Sequence, residues 1–276
     1  MSPPDNPGRY IPAQPDPARS AKLRLLFIPF IVYIAWVLEI FLLEGSIRLF
    51  QQADPVRLLI YTIFGCIITG MVIPVLLVQR SFVSRATNMY QIGFRSFPRT
   101  LVSCVIAAAV GYLLLVLFPP AGAESGMTPG LFLLFLPSGI ASVMICWVLL
   151  GTHIQAYVRH GGVLVSITTG IVTTTLLFGM TPLAYAPSAG APARCLVLVG
   201  IGVVAALSFF ALRDVYAASI LATAGLAVSL GGMADPQSLS SAMPSIWLSA
   251  GIAGVSLVGI HAYFRKNFTT VIVVDE

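Results

Sequence analysis

Eight apolar runs dominate this chain, at residues 25–43, 58–78, 101–118, 131–150, 163–183, 195–212, 215–233 and 246–264. A helix rises 1.5 Å per residue and the hydrocarbon core of a bilayer is about 30 Å thick, so roughly 20 apolar residues suffice to cross it. An open sheet edge cannot persist in lipid, because its backbone N–H and C=O groups would find no partner. Each run is therefore read as a helix, and the expected fold class is all-α: a polytopic transmembrane helical bundle of about eight spans with both termini cytoplasmic. The seventh run is the weakest, since Ala217, Ala218, Ala222, Ala224, Gly225 and Ala227 enter lipid less favourably than Leu or Phe. It leaves a seven-span alternative open.

Composition closes off other classes. Of the 276 residues, 58% are hydrophobic and only 9% charged, against about a quarter charged in soluble domains. A disordered chain needs low hydrophobicity, a disulfide scaffold dense cysteine, and a nucleic-acid binder a basic surface open to water; none of these fits. No nucleic-acid partner is expected. The formal net charge of +5 bears instead on orientation. With eight spans, Arg9, Arg19, Lys22, Arg24, Arg80, Arg85, Arg95, Arg99, Arg159, Arg213, Arg265 and Lys266 fall on one side. Only Arg48, Arg57 and Arg194 fall on the other, a split of 12 against 3 that places the first side in the cytoplasm.

Three regions follow. Residues 1–21, with six prolines among polar residues, read as a disordered Pro-rich cytoplasmic tail, because too little apolar surface is present to offset ordering entropy. Residues 22–266 form the transmembrane bundle, and 267–276 a short cytoplasmic tail. The first run is too long for a signal-peptide core and lacks a small-x-small cleavage pattern, so it is expected to stay as an anchor. The two halves share no convincing repeat of glycines, prolines or loop charges.

Helices in lipid pack through small residues. Pairs or triplets at four-residue spacing mark several runs: Ala107 and Gly111; Ser138, Ser142 and Cys146; Ser166, Gly170 and Thr174; Gly202 and Ala206; Ala250 and Gly254. Pro29, Pro74 and Pro137 lie inside runs, where each removes a backbone donor and favours a bend.

Glu39 is the one acid well inside an apolar run, and a charge at the bilayer centre costs about 2.5–3.5 kcal/mol on insertion scales. Trp36, one helical turn before it, is the one neighbour at helical spacing with recognition chemistry, so Glu39 and Trp36 are the candidate substrate-binding pair, suited to a cation or a protonatable group. A purely interfacial carboxylate is the competing reading. Arg80, Arg85, Arg95 and Arg99, interleaved with aromatic residues, together with His153, His160 and His261 on the same side, suit an inner-face contact with anionic lipid or another anion. Arg213 and Asp214 form nearly the whole turn between the sixth and seventh runs, where dipole and capping preferences explain them.

Several chemistries lack their residues. His153 and His160 stand about 10.5 Å apart along a helix, too far for one zinc; no HExxH or paired CxxC occurs, so no metal and no cofactor is expected. The cysteines are spread over separate runs and do not suggest a disulfide framework. Neither lysine lies within a run, and no Walker, GxSxG or intramembrane-protease pattern is present. The reading these features favour is a small permease or transport-type protein without its own ATPase. The alternatives are a membrane enzyme acting on a phosphorylated lipid at the inner leaflet and a structural subunit of a membrane complex.

Overall fold

The computed structural model describes residues 17–47, 49, 54–83, 92–120, 127–185 and 191–268. Those residues form an all-helical, multi-pass bundle with no strand among them. Eight long helices follow in order: α1 (Pro17–Ile47), α2 (residues 55–83), α3 (Phe97–Leu117), α4 (Thr128–Val158), α5 (Val163–Gly179), α6 (residues 191–212), α7 (Val215–Leu230) and α8 (Met243–Phe268). The first turn of α1 thus reaches into residues 17–21 of the expected tail; residues 1–16 lie outside the described residues.

Seven of the helices are long and apolar enough to cross a membrane. The exception is α5, whose 17 residues fall short, and not the seventh run, where α7 continues through the helical turn Gly231–Met233. Pro182 accounts for this: lacking an N–H and crowding the preceding turn, it cannot extend a helix already closing at Gly179. A turn at Thr181 precedes the short helix Pro182–Tyr185, and the Thr181 hydroxyl donates to the Phe178 carbonyl at 2.7 Å. In the seventh run, Val215–Met233 is long and apolar enough to cross. Its alanines are small because they face protein: Ala217, Ala218, Ala222, Ala224 and Ala227 are all fully buried.

The bundle is built around α4, 89% of whose apolar stretch is buried, against 22% for α1 and α3. Close approach explains how α4 fits. A Cβ on Gly70 of α2 would collide with Ala141 of α4, and one on Gly139 of α4 would collide with Thr223 of α7. Elsewhere Gly111 of α3 faces the Ala224 methyl of α7, leaving only 3.3 Å for an added Cβ, and Gly179 of α5 meets Val199 of α6. The small-residue pairs of the third to sixth runs are buried in these seams. The eighth differs: Gly254 faces open space, and the buried side of α8 is Ile246, Ser249, Ala250, Ala253 and Leu257.

Two of the bundle's helices contain wide-turn π-helical stretches near their prolines. In α2 the stretch Thr62–Val72 ends just before Pro74, and in α4 Val143–Gly151 follows Pro137. Pro74 has no N–H for the Gly70 carbonyl; its neighbour Ile73 already bonds in the wider register, to Ile68.

Candidate functional site

Within the membrane-spanning part, the polar groups meet where α1, α2 and α4 adjoin. Glu39 is half-buried on α1, and its Oε1 lies 3.4 Å from the point a Gly65 Cβ would occupy. The carboxylate thus lies against Gly65, at ordinary contact distance, while the Tyr61 ring stands closer to that point, at 3.0 Å. Thr69, one turn on along α2, lies beside that carboxylate. On the other side of Gly65, the Tyr61 hydroxyl and Ser138 Oγ are 3.1 Å apart, with Cys66 Sγ 4.0 Å from the same Ser138 oxygen. A hydroxyl, phenol and thiol row thus adjoins the carboxylate, and Tyr61, Cys66 and Ser138 are all buried. These side chains can hold a proton or a cation and can exchange hydrogen bonds along the row.

Trp36 precedes Glu39 by one turn on α1. It is fully buried, and its indole Nε1 has no hydrogen-bond partner among the described residues. Three residues earlier, the Tyr33 hydroxyl donates to the Leu177 carbonyl at 2.7 Å and ties α1 to α5.

At the arginine-rich end the three histidines are separated. His153, buried near the end of α4, has Nδ1 2.7 Å from the Leu149 carbonyl and Nε2 2.7 Å from Ser81 Oγ on α2. A carbonyl cannot donate, so Nδ1 carries a proton and orients the ring towards Ser81. His160 is exposed in the turn Arg159–Gly161. His261 on α8 lies 3.0 Å from the Tyr216 hydroxyl of α7 and stacks on Phe94 with ring centres 5.1 Å apart. No group of three metal-ligating side chains occurs among the described residues.

Asp214 and Arg213 acquire surroundings that their turn position alone did not reveal. Asp214 caps α7, its Oδ1 accepting the Ala217 N–H at 3.0 Å. Asp214 is fully buried, and neither its Oδ2 nor the nearby Thr100 Oγ1 closes a hydrogen bond of ordinary geometry among the described residues. Burial pushes the Asp214 carboxyl up; the Ala217 N–H, the Thr100 hydroxyl, the Tyr216 N–H and Arg95 pull it back. Arg213 donates to Gln155 Oε1 at 3.3 and 3.4 Å, and its guanidinium lies 5.5 Å from the Phe210 ring centre. Burial, and secondarily Arg95, disfavour its charge. Loop and turn meet directly: the Val215 N–H donates to the Gly93 carbonyl at 3.0 Å.

Of the expected inner-face arginines, Arg80 and Arg99 are exposed and Arg95 is half-buried against the Arg213–Asp214 turn; Arg85 lies outside the described residues. Sequence reasoning passed over Ser81, Thr100, Tyr61, Thr69 and Ser138. Single hydroxyls in apolar runs carry no mark of their partner; Ser138 alone stands at a spacing that marks a packing face. No protein family, curated protein or solved structure matches this chain.

Proposed function

We propose that this multi-pass membrane protein is a small transport-type protein of the cell membrane without an ATPase of its own, in which Glu39 handles a proton or cation. One observation supports this most: the Glu39 carboxylate lies against Gly65, beside Thr69 and near the Tyr61–Ser138–Cys66 row. An anchor gains nothing from an acid at this depth, whereas a group that binds and releases charge needs a polar lining. Trp36, buried one turn before Glu39 on α1, belongs to the same proposed binding site. Anionic lipid at Arg80, Arg85, Arg95 and Arg99 belongs to the same proposal, at about 1 kcal/mol per juxtamembrane charge.

The test is electrical. Proteoliposomes on a solid-supported membrane should give a transient current after a pH or cation jump, and Glu39→Gln, which keeps shape and removes titration, should abolish it while leaving folding intact. Equal currents from both proteins, or none from the wild type, overturn the reading. The enzyme alternative draws on the Ser81–His153 pair; it gains if Glu39→Gln leaves turnover of a phosphorylated lipid unchanged.

A further inference from the structure

A cavity of about 770 Å³ lies at the end of the bundle away from the arginine-rich loop, between the last turns of α3, the first turns of α4 and the side of α7, with Trp247 of α8 on its rim. Its walls are nearly all apolar, among them Ala108, Tyr112, Val116, Phe132 and Ile220. The chain's packing makes the gap. Helix α3 is held mainly by α7, through one buried stripe of Thr100, Ala107, Gly111 and Leu115. Past that stripe it stands clear of α8. The wall is fixed in place where Pro120 packs on Gly231, leaving only 3.0 Å for an added Cβ.

The opening is sideways. Tyr112 is 69% exposed, Trp247 60% and Val116 55%, and they continue into the exposed apolar residues Leu113, Leu117 and Leu248 that form the lipid-facing surface. Apolar cavities of this kind do not hold water, which needs two or more polar partners. The size is that of a ligand pocket, roughly 300–1,000 Å³. From Ala108 to Pro119 the wall runs about 16 Å along the helix axis at 1.5 Å per residue, comparable with one leaflet's share of a core about 30 Å thick.

We infer that this groove binds the hydrocarbon tail of a membrane lipid, entering sideways between α3 and α8 with its headgroup at the level of Trp247. Tryptophan at a membrane boundary lies where an apolar ring meets headgroups, which gives the tail a fixed upper end. The inference is independent of Glu39, which belongs to the α1–α2 seam.

The test uses the full chain in nanodiscs containing a trace phospholipid with a photoreactive diazirine at the end of one acyl chain. After illumination, peptide mapping should show labelling concentrated on Ala108, Tyr112 and Phe132, several-fold above that on the open lipid face of α1 at Ile34 and Leu38. Ala108 is exposed to the groove, so Ala108→Trp should fill it without disturbing the α3–α7 seam, and should cut groove labelling several-fold while leaving α1 labelling unchanged. Labelling no higher than on α1, or unaffected by Ala108→Trp, overturns the inference. Cross-links between two copies of the chain at these residues overturn it too, since the groove would then be a protein interface.

Discussion

A single carboxylate, Asp214, shows how much of a residue's chemistry its sequence position conveys. Standing just before an apolar run, it is legible as a helix cap, and it caps α7. Its burial, and the approach of Thr100 and Arg95 from other segments, are products of folding. They make a pH prediction. Burial raises the folded carboxyl above its unfolded value, so the folded chain holds the proton more tightly. The associated stability is full below the unfolded aspartate value of about 3.9, and is lost as pH rises through that value towards the raised folded one. Cys104, Tyr216, His261 and Arg95 also face this group, and because the Asp214 charge acts on the His261 ring, the comparison is made in a His261→Gln background. Asp214→Asn keeps the capping oxygen and abolishes the titration. Thermal unfolding in nanodiscs across a pH series should show the chain with Asp214 losing stability relative to the Asp214→Asn variant as pH rises from about 4 towards neutrality. A constant difference between the two curves would mean that Asp214 meets the same environment folded and unfolded.

Among elements, the seams decide which glycines matter. No hydrophobic force draws helices together in lipid, so contact relies on dispersion at close range and on a few hydrogen bonds of about 1 kcal/mol each. Gly139→Val would drive a branched side chain into Thr223 and part α4 from α7, at a cost of about 1–3 kcal/mol or more for overpacking. Gly254→Val on α8 meets open space, and should leave the thermal midpoint within the small range of surface substitutions, about 0.5 kcal/mol. Comparable losses in both variants, measured by thermal scanning in detergent, would show that the seams are not where stability resides. The four-residue spacing of small residues located the faces of α3 to α6 because packing in lipid selects for it. It placed only half of the α8 pair, since in a helix rich in Ala and Gly the same spacing occurs on more than one face. Run length found the helices, and the apparent weakness of the seventh run reflected its depth in the protein: alanine is poor at facing lipid and good at facing α4. The polar row beside Glu39 was not legible, because its members come from helices joined only by folding.

The whole molecule has two ends, and contacts between distant segments define them. Ser81 meets His153, Gly93 meets Val215, and Phe94 meets His261, so the segments around residues 79–83, 92–100, 151–162, 213–214 and 261–266 gather at one end. At the other, Pro120 packs on Gly231, and Gly130 adjoins Leu239 and Met243. These are the two groups into which an even number of crossings sorts the connections, and α5 must therefore count as a crossing despite its 17 residues. A short helix spans by thinning the bilayer locally or by drawing flanking residues to the interface, at a fraction of a kcal/mol per Å of mismatch. The excess of arginine and lysine, 12 against 3, then predicts that the first end faces the cytoplasm. In a background with Cys66, Cys104, Cys146 and Cys195 replaced, Ser125→Cys should react with an impermeant maleimide on intact cells. Ser84→Cys should react only after permeabilisation. The reverse pattern would put both termini outside and the arginine-rich end with them. Labelling of both positions from one side would remove one crossing between them, and α3, held almost wholly by its stripe on α7, would be the helix that fails to span.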